Sequence, residues 1–333
     1  MADSDQKPLV PSPPNSFAPS GDGAQSVVTR MSSEILAVVR AQERELEQAR
    51  FRIGRYQFRG PDHRQILRWS EALHLSSERF VRVLAGTKCV SPGQRQGAIE
   101  FTVIDGCISS LVWDFAEFPL DEFQWEDGLR IRALGFRSVP PCGRVPVTYP
   151  SSLRRLFCEN LSLKELDLSG VPGLVELYCS KNHLDELDLS RVPGLVELDC
   201  SNNYLRALHL SSVPKLKLIR CRRNQLTVLA LSEMTELSII DCSMNRLTEL
   251  RLSSTPNLLS LDCNYNQLKE LELSGAPGLD ALFCEGNQLA EVDVSRLKHP
   301  GYIAVSSDVR IIGTVPEGCR VTRSITPPAD WLA

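Results

Sequence analysis

No uninterrupted apolar run in the 333-residue sequence approaches the roughly 20 residues that a membrane-spanning helix needs. Hydrophobic residues make up 42% of the chain and charged residues 23%, which is an ordinary balance for a soluble globular protein. The net charge is only -4, and no strongly basic stretch of the kind that binds nucleic acid is present. We therefore expect a soluble protein whose partners include neither membranes nor nucleic acids.

The sequence also lacks the common signatures of catalysis and cofactor binding. It contains no G-x-x-x-x-G-K-[ST], no H-E-x-x-H and no G-x-S-x-G, and its five histidines are scattered. No two cysteines form the C-x-x-C pair that structural zinc sites commonly use. We predict no cofactor, no metal and no enzymatic activity. A nucleophile among Cys89, Cys107 and Cys142 stays open as an alternative.

Residues 1–29 are rich in proline and serine, with five prolines and four serines in the first 25 positions. Because large apolar side chains are so few, they cannot offset the entropy of ordering the chain, and a disordered tail is predicted. The segment has no apolar core of the kind that a secretory signal peptide carries. Its composition is also typical of the addresses of bacterial effectors that are exported by Sec-independent machines. The two interpretations, flexible tail and export address, both stay open.

Residues 30–150 are predicted to form an α+β N-terminal domain. Apolar residues at helical spacing predict a helix over 32–53, with arginines in its last turn, where cations interact well with the helix dipole. Shorter helices are predicted over 62–73 and 76–86, and a β-hairpin over 98–103 and 107–115 around Asp105-Gly106. The aromatic and acidic segment 113–127 is predicted to cap the repeats that follow, with a partner-binding surface as the alternative.

Residues 151–297 then carry a 21-residue pattern that occurs seven times without an insertion. The pattern reads L-x-x-L-x-C-x-x-N-x-L-x-x-L-x-L-S-x-x-P-x. A cysteine stands at the same place in every copy: Cys158, Cys179, Cys200, Cys221, Cys242, Cys263 and Cys284. Six copies have an asparagine three residues later: Asn182, Asn203, Asn224, Asn245, Asn266 and Asn287.

The first half of this pattern resembles the leucine-rich repeat signature, with cysteine where leucine is more usual. The second half nearly repeats the first, which is similar to the 21-residue bacterial class called IRREKO. The resemblance implies an α/β fold class, namely a leucine-rich repeat solenoid of seven repeats with a smaller α+β N-terminal domain. It also implies a binding scaffold, because bacterial members include surface proteins and effectors injected into host cells.

Secreted bacterial ubiquitin ligases combine leucine-rich repeats with a large catalytic domain that bears a C-x-D motif. No cysteine in this chain is followed two places later by aspartate, so that enzyme class does not fit. An unfamiliar ligase activity in the N-terminal domain, with substrate bound by the repeats, stays an alternative.

In a solenoid, equivalent residues of successive coils form ladders, because strands in register stack about 4.8 Å apart. The cysteines are predicted to form one interior ladder as small buried hydrophobes, with metal binding and disulfides as the alternatives. The asparagines are predicted to satisfy backbone groups at the turn after the strand, where no sheet partner reaches.

Recognition is expected at the positions that vary within this frame, on the concave side of the strands. The predicted protein-binding residues combine aliphatic side chains with charge: Tyr178, Asp199, Leu218, Arg220, Ile239 and Asp241. They lie next to a basic cluster that spans residues 215–223. The second half of each repeat carries a row of carboxylates, which is interpreted as a solvated face, with calcium binding as a minor alternative.

Residues 298–333 are predicted to cap the last repeat. The sequence thus favours a non-enzymatic scaffold for an unidentified protein partner, either cytoplasmic or exported by a Sec-independent route into a host cell. An intracellular bacterial scaffold is the further alternative.

Overall fold

The computed structural model describes residues 50–53, 56–72, 99–104, 107–114, 131–137, 149–231 and 233–324. The elements before residue 149 are β1 (Arg50–Ile53), β2 (Tyr56–Arg59), α1 (Gly60–Ala72), β3 (Ile99–Ile104), β4 (Cys107–Asp114) and β5 (Ala133–Arg137). Helix α1 buries Ile66 and Trp69 and has Asp62 in its first turn, where a carboxylate interacts favourably with the helix dipole. The helix predicted over 62–73 and the hairpin of β3 and β4 are both confirmed.

The prediction of a helix over 32–53 is wrong for its last four residues, because residues 50–53 form strand β1. This strand pairs antiparallel with β2, with Arg50 opposite Arg59. The two strands read RFRI and YQFR, so aromatic and aliphatic residues alternate with the period of a strand. The arginines of this segment therefore do not stabilise a helix terminus. Residues 32–49, the helix predicted over 76–86 and most of the segment 113–127 lie outside the described residues.

The described residues from 149 to 324 form a solenoid of short parallel strands. The strands of its main sheet are β6 (Arg155–Phe157), β7 (Glu176–Tyr178), β8 (Glu197–Asp199), β9 (Leu218–Arg220), β11 (Ile239–Asp241), β13 (Ser260–Asp262), β14 (Ala281–Phe283), β16 (Tyr302–Ser306) and β18 (Arg320–Ser324). On the opposite side lie β10 (Val228–Ala230), β12 (Glu249–Arg251), β15 (Glu291–Asp293) and β17 (Arg310–Ile312). These four strands pair as β10 with β12 and β15 with β17.

Within the described residues the main sheet has 12 strands, in the order β18-β16-β14-β13-β11-β9-β8-β7-β6-β5-β4-β3. β3 joins antiparallel to β4, and β4 pairs parallel with β5, which pairs parallel with β6. The seven repeats are therefore confirmed, and the same sheet continues beyond both ends of them. On the C-terminal side Ile303, 21 residues after Leu282, pairs with it, so the coil length persists after the sequence motif has been lost.

Each three-residue strand of the main sheet buries its middle side chain, and the side chains on either side of it face outward. Leu177, Leu198 and Ile219 are such middle residues, and each is 0% exposed. Full burial of one such side chain stabilises the fold by about 1.5 to 3 kcal/mol before the entropy of ordering is subtracted. Because each coil packs on its neighbours, this burial exists only when adjacent coils are folded together.

The seven repeat cysteines form a continuous interior ladder, as the packing interpretation predicted. All seven are unpaired thiols with 0% exposure. Burial raises the pKa of every one of them, to about 12 at Cys284. Since the thiolate is the form that reacts and binds metals, these thiols serve as packing groups.

The asparagines interlock with the cysteine ladder. Asn224 Nδ2 donates to the carbonyl oxygens of Cys200 and Cys221, each 3.0 Å away. Asn224 Oδ1 accepts the backbone N–H of Leu205 at 3.0 Å. Asn182, at the N-terminal end of the ladder, binds the first coil in the same way, through Cys158 O and the backbone N–H groups of residues 161 and 163. The predicted role of the asparagines at the turn is confirmed.

The residue two places after each ladder cysteine has a positive φ. This position is occupied by Asn160, Lys181, Asn202, Arg223, Met244, Tyr265 and Gly286, with φ between 53° and 65°. A left-handed conformation disfavours side chains with a Cβ, apart from asparagine and aspartate, so most coils store a little strain here. At Gly286 a Cβ would lie 2.4 Å from the ring of Tyr265, so glycine also makes room for its neighbour.

Candidate functional site

The outer face of the main sheet, which carries the strand positions where the sequence predicted recognition, presents two rows of side chains. The first row contains Arg155, Glu176, Glu197, Leu218, Ile239, Ser260, Ala281 and Tyr302, which follow one another in register. The second row contains Phe157, Tyr178, Asp199, Arg220, Asp241, Asp262 and Phe283. The structure brings all six predicted binding residues onto the four adjacent strands β7, β8, β9 and β11.

Leu218 and Ile239 are direct neighbours in the first row. Ile239 is 41% exposed although it lies in the middle of the sheet, and Leu218 is half-buried. Leu259 extends this aliphatic area, since its N–H donates to Ser238 O, next to Ile239, and its side chain is 52% exposed. Exposed aliphatic side chains in a row on a rigid sheet are a common basis for a protein contact.

Tyr178 is held in place by two contacts. Its ring stacks on Phe157, with centroids 5.0 Å apart and planes 4° from parallel. Its hydroxyl donates to Glu197 Oε2 at 2.6 Å. Burial raises the pKa of Tyr178, and the hydrogen bond to Glu197 raises it further, so the phenol stays protonated. A fixed aromatic edge therefore lies beside the predicted binding residues.

The aspartates of the second row each stabilise the turn after their strand. Asp199 Oδ1 accepts the backbone N–H of Ser201 at 3.0 Å, and Asp241 Oδ1 accepts that of Ser243 at 3.0 Å. Asp262 Oδ1 does the same for Asn264 at 3.0 Å. From the sequence, Asp199 and Asp241 were predicted only to bind a partner, and their structural role in the turn was missed. One carboxylate oxygen of each aspartate still has capacity for a partner.

Asp262 differs from the other two in its electrostatics. Its pKa is raised to about 6, first because the carboxyl is desolvated and then because Asp241 and Glu285 are close. The backbone N–H of Asn264 and the guanidinium of Arg222 act in the opposite direction. Around Asp262 the carboxyls of Asp241, Asp262 and Glu285 outnumber Arg222, and Arg220 lies on the far side of Asp241, so the charge next to Asp262 is net negative.

The basic residues of the cluster over 215–223 do not form one patch. Arg220 points outward from β9, and among the described residues no carboxylate lies within ion-pair distance of it. Lys217 lies before the strand and is 3.5 Å from Glu236. Arg223 lies in the turn after the strand, where its Nε donates to Met244 Sδ at 3.1 Å. Only Arg220 belongs to the two rows of the outer face, whereas Lys217 lies just before the first row, at the repeat position that Leu259 occupies two coils later.

The row of carboxylates on the opposite side is exposed, as predicted, and part of it has a structural role. Asp167, Asp188 and Asp293 accept the backbone N–H groups of Ser169, Ser190 and Ser295, each at 2.8 Å. Hydrogen bonds from the backbone and the side chain of these serines lower the pKa of all three carboxyls, and the side-chain bond from Ser295 is the larger cause at Asp293. Within the described ranges, no group of three or more histidine, cysteine or acidic side chains is arranged to hold a metal ion.

Several residues of this face were missed by the sequence interpretation. Leu259 stands just before the outward positions, and the strand pattern alone does not show that it is exposed. Tyr302 follows Ala281 by 21 residues, and this spacing would have placed it in the first row. Its ring packs at 5.1 Å from Phe283, and the guanidinium of Arg320 lies 5.9 Å from the ring centroid. A second aromatic pair therefore lies on the C-terminal side of the aliphatic area.

No protein-family model matches the chain. No curated protein matches it either. In the part of the chain that the structure describes, no helix combines the length and apolar character needed to cross a membrane.

Solved structures that resemble the chain include three from bacteria. The functional domain of InlJ from Listeria monocytogenes, whose description includes a cysteine ladder, is 30% identical over 48% of this chain and 38% of its own, with a TM-score of 0.36. An internalin, InlF, from the same species is 16% identical over 62% and 78%, with a TM-score of 0.42. A leucine-rich repeat protein from Leptospira interrogans is 17% identical over 59% and 67%, with a TM-score of 0.39.

The chain thus spans about two fifths of the InlJ domain. With TM-scores below 0.5, these matches give no information about a partner or an activity. The fold itself follows from the chain's own structure: 21-residue coils, parallel strands with buried leucines, and interlocked ladders of cysteine and asparagine. This chain is a leucine-rich repeat solenoid.

Proposed function

We propose that the chain is a non-enzymatic scaffold that binds a protein partner on the outer face of the main sheet, around repeats three to five. Leu218, Arg220, Ile239 and Asp241 form the centre of this surface, and Tyr178 and Asp199 form one side. The observation that supports the proposal most is the exposure of Ile239, 41%, in the middle of a sheet whose other side is fully packed.

The division of labour within each strand supports the same proposal. The middle residue of β9, Ile219, is completely buried, whereas the flanking Leu218 and Arg220 face outward and make no contribution to the core. Arg220 carries a charge that no described carboxylate neutralises at short range. Aliphatic and arginine side chains on a rigid surface are typical of the few residues that dominate a protein interface.

The proposal is tested by combining Arg220→Ala with Ile239→Ala. Truncation of two such anchors costs at least about 1 to 2 kcal/mol of binding, and a tenfold loss of affinity is expected. The matched control combines Arg246→Ala with Val228→Ala, since both residues are exposed and neither belongs to the outer face of the main sheet.

Proximity labelling should therefore identify a protein that is enriched by the wild type and by the control, and lost with the double variant. The melting temperature should stay nearly unchanged in both variants. A partner that binds all three forms equally would place recognition elsewhere, for example on the aromatic and acidic segment around Trp125.

We further propose that the protein is delivered into a host cell as an effector. The support is compositional: the first 25 residues carry five prolines and four serines and few large apolar side chains. A reporter fused to residues 1–30 should be exported from bacteria that possess a Sec-independent injection machine. Export that persists when this machine is deleted, or no export at all, would contradict delivery and favour an intracellular scaffold.

A further inference from the structure

The outer face of the main sheet has an aliphatic area and an acidic area next to each other. Its aliphatic area, formed by Leu218, Ile239 and Leu259, lies in the first row and just before it. Asp241 on β11 and Asp262 on β13 lie in the second row, where they pair in register. Ile239 and Asp241 are two residues apart on one strand, so their side chains leave the same face about 7 Å apart.

The two aspartates form a site of net negative charge next to this aliphatic area. Asp262 is flanked by Asp241 on β11, and Glu285 follows the next strand, β14. Arg222, in the turn after β9, faces the same group but supplies only one positive charge, and its Nε has no hydrogen-bond partner. On the other side of Asp241, Arg220 pairs with it in register and adds a second cation. Four carboxylates therefore exceed the two cations by two over this part of the face, namely those of Asp199, Asp241, Asp262 and Glu285. An approaching positive charge would find attraction here that the protein itself does not satisfy.

We propose that the partner presents a lysine or arginine side chain to Asp241 and Asp262, next to an apolar side chain that packs on Leu218, Ile239 and Leu259. This inference rests on the proposed function, because it specifies the chemistry of the partner for the same surface. An extended segment fits the spacing if the apolar and basic residues are two positions apart. A helix fits it if they are three or four positions apart, since such residues are neighbours on one helix face.

The carboxylates are suited to this role because they are already fixed. The Oδ1 atom of each aspartate accepts a hydrogen bond from the backbone N–H two residues later in the chain. Holding the aspartates in the turn reduces the conformational entropy lost when a cation binds. Substitution of either aspartate by asparagine keeps an acceptor for the turn and removes the charge, so the variants separate electrostatics from folding.

The probe is a displayed library of random 12-residue peptides, selected against the full chain. Selected peptides should be enriched in Lys or Arg two to four positions from Leu, Ile, Met or Phe. Their affinity should fall at least tenfold for the variant that combines Asp241→Asn with Asp262→Asn, and also for Ile239→Ala. The matched control combines Asp167→Asn with Asp188→Asn, which also lie in adjacent coils and accept turn N–H groups. The control should bind like the wild type.

The outcomes separate this inference from the proposed function. Peptides that depend on Ile239 but lack basic residues, or that tolerate the loss of both aspartates, contradict the inference and leave the proposed function standing. Peptides that lose affinity equally in the control variant bind by overall charge and contradict the inference as well. A library that yields no peptide dependent on Ile239 or on the aspartates contradicts both proposals.

Binding should also depend on pH in a way that a purely apolar contact would not. Because Asp262 is mostly protonated at pH 5.5 and ionised at pH 7.5, a selected peptide without histidine should bind about fourfold more weakly at the lower pH. Asp262→Asn should bind weakly at both pH values and remove most of this dependence. A pH dependence that is unchanged in Asp262→Asn would contradict the role of this carboxyl.

Discussion

Asn203 Nδ2 donates a hydrogen bond to Cys179 O, 3.0 Å away, although 24 residues separate the two in the sequence. The same amide donates to Cys200 O in its own coil at 3.0 Å. Because one side chain bonds the carbonyl groups of two successive coils, each asparagine ties its coil to the preceding one. The cysteine carbonyls that accept these bonds belong to the ladder whose thiols fill the interior, so packing and hydrogen bonding are coupled along the solenoid.

Loss of one ladder asparagine should therefore be costly. Asn224→Ala removes the donor to Cys200 O and Cys221 O and the acceptor for Leu205 N–H, all buried. Unsatisfied buried groups cost about 1 to 3 kcal/mol each, so a total loss of about 3 kcal/mol or more is expected in urea denaturation. The control is Asn257→Ala, an exposed asparagine with a single bond to Thr235 O, for which less than about 1 kcal/mol is expected. Equal effects of the two substitutions would show that the ladder adds no stability.

The repeat thiols should react slowly in the native state. All seven ladder cysteines are fully buried and their thiol pKa values are raised. A reagent therefore cannot reach the sulfur atoms, and very little of the reactive thiolate is present. Cys319 is only half-buried and serves as the internal control, which should be labelled before the ladder cysteines. Peptide mass spectrometry after brief labelling with iodoacetamide, with and without denaturant, reports each site. Rapid native labelling of several ladder cysteines, or zinc in the purified protein at a stoichiometric level, would contradict the packing role.

Relief of the positive φ should stabilise a coil. Lys181 is exposed and has φ 56°, a conformation that costs a residue with a Cβ about 1 kcal/mol relative to glycine. Lys181→Gly is therefore expected to raise the free energy of unfolding by about 0.5 kcal/mol after the greater entropy of unfolded glycine is subtracted. Lys164→Gly is the matched control, because Lys164 is exposed without a positive φ, and it should destabilise instead. A loss of stability in both variants would refute the strain assigned to this position.

Asp262 should make stability depend on pH. Its folded pKa of about 6 lies above the value of an unfolded aspartate, so the folded state binds more protons between about pH 4 and 6. Stability should then fall as the pH rises through this window. Asp262→Asn, which retains an acceptor for Asn264 N–H, is expected to gain on the order of 1 kcal/mol at pH 7.5 and little at pH 4, after allowance for the part of the carboxyl that water screens.

Urea denaturation at several pH values measures this gain. Asp199→Asn is the control, since Asp199 occupies the same position of an earlier coil and lies beside Arg220 in the row. A gain at pH 7.5 that is the same for both variants would mean that the neighbours of Asp262 are not the cause.

The solenoid could be predicted from the sequence alone, because seven uninterrupted copies resemble the leucine-rich repeat, whose coils stack to bury their leucines. The sequence also determined the interior ladders, since a cysteine and an asparagine at one position of every copy must stack when the coils stack. The outward positions followed from the alternation of side chains in a strand, which is why all six predicted binding residues lie on four adjacent strands. These inferences succeeded because each depends on local geometry repeated many times.

Features that depend on contacts between coils, or on competition between two sequence patterns, became visible only in the folded structure. Residues 50–53 form a strand because they pair with β2, and their alternation of apolar and charged residues outweighs the helical spacing that continues into them from residues 32–49. The solenoid extends to Ile303 after the motif is lost, since hydrogen bonding to β14 needs the backbone and not the consensus side chains. The charge balance around Asp262 arises from residues on three different coils, and their proximity, with the partial burial that raises its pKa, exists only when the coils are stacked.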